Sequence, residues 1–479
     1  MMALGLLMAP IREGEYPNWR DASTGPQPDL NRTFGLRFSQ YRANPAPLYV
    51  PFGTPEPLGA FNYYRSNKFF AGFRFSFLFP VHIVPIGVDF PHLAHSQKMA
   101  PQNQAAWIPA KKVLPFKVGD APYTRPGSGQ VVVKNSAVAI NPFDWVLQYI
   151  GPALAGYIKY PFIFGTDVAG EVVEVGPNVE RFRVGDRVCG SATAIAKEVN
   201  SPAEGAFQLY TVMRQNMLTP IPPNITDEQA CVLGLGVGTA AFGLFHPDYL
   251  GLDMPKIPAP TKVLGKSGLP RTIIITGGAS SVGSNAIQLA VAAGYQVLST
   301  SSPKNFDYVK GLGASQVFDY KSKTLVKDLL SALKGHELVG AYTIGNGAVQ
   351  ACTAVMRKRD PKVTRKFIAV AGAIIPAEKL TTFVGKGTYL MGMMGGMIKS
   401  TGTRIRTGVE AKFILVDGLV DPESVVSHVY RDFLPQALEQ GQFVPAPPPY
   451  VVGKGLDKIQ DALHLQRKGV SGKKLVVTL

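Results

Sequence analysis

Cysteine is scarce in this chain: three in 479 residues, at Cys189, Cys231 and Cys352. Their wide separation offers neither a disulfide framework nor the close pairs of a thiolate metal site, which suits a reducing compartment. Charge is sparse as well. Charged residues make up 17% of the chain, and 33 acids face 49 lysines and arginines, for a formal charge of +16. A long apolar run is also lacking, since the best stretch, residues 73–88, contains Arg74, His82 and two prolines and is too interrupted to span a bilayer. The opening MMALGLLMAP has no basic flank ahead of its apolar part, so it does not read as a secretory signal. These absences lead us to expect a cytosolic protein with no membrane partner.

The basic excess is scattered. Its one dense run is Arg357-Lys358-Arg359, followed by Lys362, Arg365 and Lys366. No aromatic residues interleave it, so a nucleic-acid groove is not expected. The run reads as a solvated loop in preference to a docking patch for an acidic carrier protein. A hydrophobic content of 46% describes a globular chain, and the length exceeds a single core, which predicts two domains plus an extension. Residues 1–98 are dense in Pro, Gly, Tyr, Phe and Arg with no sustained period, and read as a poorly structured extension. Deleting them is expected to leave activity intact; lost activity would refute that.

The most informative stretch is RTIIITGGASSVGSNAIQLAVAAGYQVLSTSS, residues 271–302. A β-branched run at 272–276 leads into a turn of small residues, and Ile287, Ala290 and Val291 then keep helical spacing before a short strand at 296–298. Strand, tight turn, helix and strand form one βαβ unit. Gly277, Gly278 and Gly283 would let the backbone approach a pyrophosphate, while Ser280, Ser281 and Val282 would present the first N–H groups of the helix. Ser280 stands where a stricter fingerprint has a glycine, so a plain glycine turn remains an alternative. After the second strand come Ser302, Lys304 and Asn305, with no carboxylate before Asp307. An NAD ribose usually meets an Asp or Glu there. A 2′-phosphate would instead favour Lys304, which points to NADP(H), although Lys304 alone reads equally well as a loop lysine.

From Gln104 onward the pattern is short strands broken by Gly, Pro and Asn turns, which implies a small β-barrel. Strands are expected at 131–133 and 137–140, separated by a turn at Asn135-Ser136. The segments INPFDW (140–145), GTDVAGEVVEVGPNVERFRVGDRV (165–188), GAFQLYTV (205–212) and GGASSVGSNAIQLA (277–290) resemble the medium-chain dehydrogenase/reductase superfamily. Within it the chain resembles the zinc-independent, quinone-oxidoreductase-like branch, and especially the fungal stand-alone enoyl reductases that serve polyketide synthases. The likeness runs from about Met99 to Leu479.

That resemblance implies an α/β fold: a GroES-like β-barrel catalytic domain at 99–223, a Rossmann-type doubly wound parallel sheet at 224–397, and a return to the first domain at 398–479. It implies NADP(H) as cofactor, with Tyr320 joining Ser302, Lys304 and Asn305 around the 2′-phosphate and adenine. Thr239 matches a threonine near the nicotinamide, and Asp144 is expected in a loop facing it; these two are the candidate catalytic residues. Ordinary structural roles for Tyr320 and Thr239 remain open. Zinc-using relatives place a Cys at the start of the motif matched by residues 141–144 and a His-Glu pair where this chain has Thr166-Asp167, so no metal site is expected. Several relatives carry Lys where this chain has Val146. MGMMGGM (391–397) reads as core filling in preference to an acyl channel. The expected activity is reduction of an activated C=C bond, most simply in an enoyl thioester, with a small molecule or an acyl carrier protein of a polyketide synthase as partner. The alternatives are a quinone or enone oxidoreductase and a non-catalytic dinucleotide-binding protein.

Overall fold

A computed structural model describes residues 101–372 and 407–479, except Lys112 and Lys262. The expected extension at 1–98, the 397/398 boundary and the segment 391–397 lie outside the described residues.

The βαβ unit opens one of two layers, a six-stranded sheet. Arg271–Ile275 carries three consecutive isoleucines that are fully buried, as a strand covered on both faces requires. Six parallel strands assemble around it in the order Gln316–Asp319, Gln296–Ser301, Arg271–Ile275, Glu337–Ile344, Phe367–Gly372 and Glu410–Phe413. The order reverses between Arg271–Ile275 and Glu337–Ile344, and the crevice at such a switch is where this topology holds ligands. Glu410–Phe413 pairs parallel with Phe367–Gly372 as the sixth strand of this sheet.

The second layer is a mixed sheet of seven strands with a separate sheet of three. Side chains of both enclose one core, including Ala105, Ile108 and Phe162 from the small sheet and Val131, Val168 and Val477 from the large one. Here one expectation fails: residues 130–139 form a single strand, Gln130–Ala139, with no turn at Asn135-Ser136. The strand shifts register between Asn135 and Ala137, and buried Asn135 donates to the carbonyls of Ala206 and Gln208 and to Thr211 Oγ1. An Asn that looks like a turn former is here a bulge residue whose amide ties down a neighbouring segment. The C-terminal strand Lys474–Thr478 enters this sheet antiparallel to Gln130–Ala139, with Val476 opposite Ala139.

The basic run is only partly solvated. Arg359 donates to the carbonyls of Leu333 (2.9 Å) and His336 (2.6 Å), and Arg365 donates to those of Tyr249 and Leu250. Two of its cations therefore tie a helix end and internal loops together. One helical stretch among the described residues, Asp227–Phe245, is long and apolar enough to cross a membrane, which the composition reading overlooked; 83% of it is buried inside the protein.

Candidate functional site

Three helices matter: α1 (Pro142–Leu154), α2 (Gly234–Phe245) and α3 (Ser281–Ala292). The turn into α3 is held by its own residues. Ser280 Oγ donates to the Gly277 carbonyl (2.7 Å) and accepts from Gly283 N (3.1 Å), capping the helix. Ser284 Oγ donates to the Gly278 carbonyl (3.0 Å) and lies 2.9 Å from Tyr308 Oη. Gly277 has φ +65°, and a Cβ on Gly283 would sit 2.3 Å from the Gly277 carbonyl oxygen. The first-turn N–H groups of Ser281 and Val282 have no partner within α3, so this terminus attracts anions. Ser280 is thus a capping residue, and the helix itself supplies the free donors. A pyrophosphate fits this cradle.

Next to it lies a buried polar group that sequence reasoning did not assemble. Lys474 Nζ is 2.8 Å from Asp167 Oδ2, 2.5 Å from Asn141 Oδ1 and 3.5 Å from Ser281 Oγ. Asp167 Oδ1 accepts from Leu235 N (2.7 Å), capping α2, and from Thr166 Oγ1 (3.0 Å). Asn141 caps α1, and its own N–H donates to Asp144 Oδ2 (2.7 Å). The N-termini of all three helices therefore meet at one ion pair. Lys474, Asp167 and Asp144 are 3%, 0% and 1% exposed. Asp144 lies in the first turn of α1, and burial raises its carboxyl to about 7, with Asp167 adding to the rise while the Asn141 N–H and Lys474 pull the other way.

Thr239 is buried in α2, and its carbonyl accepts from Tyr342 Oη (3.0 Å). No hydrogen bond among the described residues joins it to Asp144; the two are linked only through the helix ends at Asp167. Gly243 makes the tyrosine contact feasible, because a Cβ there would sit 2.5 Å from the Tyr342 ring.

At the far end of the cradle, the strand Gln296–Ser301 runs three residues beyond the expected 298. Ser299 Oγ donates to the Ile275 carbonyl and Thr300 Oγ1 accepts from Gly277 N, so these hydroxyls serve the sheet. Ser301 Oγ is buried without a partner, a residue the sequence reading passed over. Ser302 and Asn305 are half-buried and Lys304 is exposed. Asn305 Nδ2 donates to Ser471 Oγ (3.1 Å), joining the loop before Lys474. Tyr320 is 49% exposed at the end of the neighbouring strand, and the preceding Asp319 is occupied as acceptor for Lys321 N (2.9 Å).

The place where a zinc site would form holds an ammonium instead. Asn141 and Asp167 are both committed to Lys474, and neither sulfur nor imidazole stands at these positions, so the donors do not fit zinc. No group of three or more His, Cys, Asp or Glu that would hold a metal occurs among the described residues.

A parallel sheet in this strand order, with an anion-attracting helix end beside a second, strand-rich layer, is the architecture of a Rossmann-type domain joined to a β-rich one. Residues 127–223 match the alcohol dehydrogenase GroES-like domain. Dehydrogenase pigH of Monascus ruber is 46% identical over 379 residues, covering 79% of this chain and 100% of that protein. Trans-enoyl reductase himH of Aspergillus japonicus is 34% identical, covering 79% and 97%. An alcohol dehydrogenase superfamily protein from Novosphingobium aromaticivorans shares the fold at a TM-score of 0.57 and 23% identity, covering 79% of this chain and 99% of that one. The chain belongs to the medium-chain dehydrogenase/reductase superfamily, among relatives that include fungal dehydrogenases and trans-enoyl reductases.

Proposed function

We propose that this protein is an NADPH-dependent, zinc-independent reductase of an activated C=C bond, acting on an enoyl thioester that is free or held by an acyl carrier protein of a polyketide synthase. The carrying observation is the commitment of Asn141 and Asp167 to Lys474. Without a Lewis acid, the site suits a substrate whose own conjugated carbonyl takes up negative charge as hydride arrives. A nicotinamide cofactor, which the family implies, supplies that hydride when bound. The residues of this chain bind and orient: Ser281 and Val282 offer N–H donors to the phosphates, and Lys474 adds a cation beside them. Ser301, Ser302 and Lys304 offer two hydroxyls and an ammonium to a 2′-phosphate, and Asp319, at the end of the neighbouring strand, is turned to its own loop. In this reading Thr239 of α2 would stand near the nicotinamide, as the family resemblance implies.

The test is oxidation of NADPH, with NADH beside it, by chelator-treated protein given a crotonyl thioester and a simple quinone in parallel. Thioester turnover with an NADPH preference is the expected result. Quinone turnover alone would move the protein to the quinone reductases. Tight binding of NADPH with no turnover of either would leave a binding protein.

A further inference from the structure

The group around Lys474 holds two carboxyls and one ammonium, all withdrawn from water. Asp167 has a counter-charge, with Oδ2 2.8 Å from Lys474 Nζ though without a hydrogen bond, and its Oδ1 accepts from two donors. Asp144 receives only the Asn141 N–H on Oδ2, and its Oδ1 is buried with no partner. With both carboxyls ionised the group carries an uncompensated negative charge in a place where such charge is costly. A proton on Asp144 removes it, consistent with a carboxyl raised to about 7. Lys474 Nζ also lies 3.5 Å from Oγ of Ser281, the first residue of the helix that seats the phosphates in the function proposed above.

We propose that a dinucleotide and a proton bind this protein together, the proton passing from solvent to Asp144. The inference rests on the reading of the α3 terminus as the pyrophosphate seat. Phosphates arriving there compete with the two aspartates for one ammonium and bring further negative charge, and both effects hold a proton on Asp144 more tightly. The charged groups facing Asp144 are Asp167, from the strand Asp167–Val175, and Lys474, from the strand Lys474–Thr478. Cys231 and Tyr430, which face Asp167, are pushed well above their usual values by burial and stay neutral across this range. By linkage, each proton taken up lowers affinity roughly tenfold per unit rise in pH, so dinucleotide affinity falls above about pH 7.

Calorimetric titration of the full chain with NADH tests this, because NADH lacks the 2′-phosphate that itself titrates near neutrality. Binding is measured near pH 7.5 in HEPES and in Tris, whose ionisation enthalpies differ and neither of which is a phosphate, so that the two apparent enthalpies give the protons exchanged. Wild type is expected to take up roughly half a proton or more. Asp144→Asn, whose amide oxygen still accepts from the Asn141 N–H, is expected to take up close to none while binding remains measurable. No uptake by wild type, or equal uptake by both proteins, overturns the proposal. Should the variant not fold, wild-type affinity across pH 6.5 to 9 decides: a decline setting in near 7 supports it and a flat profile overturns it. If neither NADH nor NADPH binds, the dinucleotide reading fails and this inference falls with it; binding without proton uptake removes this inference alone.

Discussion

The glycine turn at 277–283 and the buried Lys474 group meet at Ser281, yet they are built in opposite ways. The turn closes on itself: its capping bonds run between residues three to six positions apart. The Lys474 group spans residues 141 to 474 and exists only when strands of the mixed sheet and the ends of three helices come together. A local turn rearranges when damaged, whereas an ion pair sealed from water leaves a bare charge. The comparison teaches that the cofactor end of the site has a robust half and a brittle half.

The brittle half should give the largest effect. Lys474→Met leaves Asp167 buried with no counter-charge and is expected to cost about 3–5 kcal/mol of stability, read by urea unfolding; a loss below about 1 kcal/mol would mean that water reaches this group. Adding Asp167→Asn to that variant should recover part of the loss.

Asp144 breaks the comparison differently, through pH. Its folded carboxyl sits at about 7, above an unfolded value near 3.9. Between these values the folded state holds the extra proton, so stability contributed by Asp144 falls as pH rises through that window and then levels off. Asp144→Asn should therefore gain on wild type by on the order of a few kcal/mol as pH is raised from 4.5 to 8, seen as a growing difference in melting temperature. A constant difference would refute the buried proton.

The robust half should yield smaller changes in stability and larger ones in binding. Gly283→Ala pushes a methyl toward the Gly277 carbonyl, which should cost about 1–3 kcal/mol as the turn shifts. Dinucleotide affinity measured by fluorescence titration should fall by at least about tenfold. Lys304→Ala should lose about 1.5 kcal/mol of NADPH binding, roughly tenfold in Kd, with NADH binding unchanged. An equal loss for both cofactors would remove Lys304 from the 2′-phosphate.

The same division governs what was legible beforehand. The βαβ unit and the glycine positions follow from local pattern, because β-branched runs and small-residue turns specify their conformation within a few neighbours. Asn135-Ser136 misled for the complementary reason: an Asn is a turn signal locally, and only its burial against Ala206 and Gln208 makes it a bulge. Asp167 stood in the quoted GTDVAGEVV segment, and Lys474 directly precedes the apolar run LVV. A charge at the edge of a buried strand was the available hint that each needed a partner, but nothing local says which one.

By itself the sequence determined the family, the glycine turn into α3 and the alternation of strands and helices that builds a parallel sheet. Tertiary structure decided the rest: that Lys474 closes on Asp167 and Asn141, that Asp144 accepts from the Asn141 N–H with one oxygen and leaves the other unpaired, and that two arginines of the basic run are bound to carbonyls. The physical reason is range. Backbone preference acts over a few residues, whereas the value of a buried charge is set by whatever the folded chain brings within reach of it.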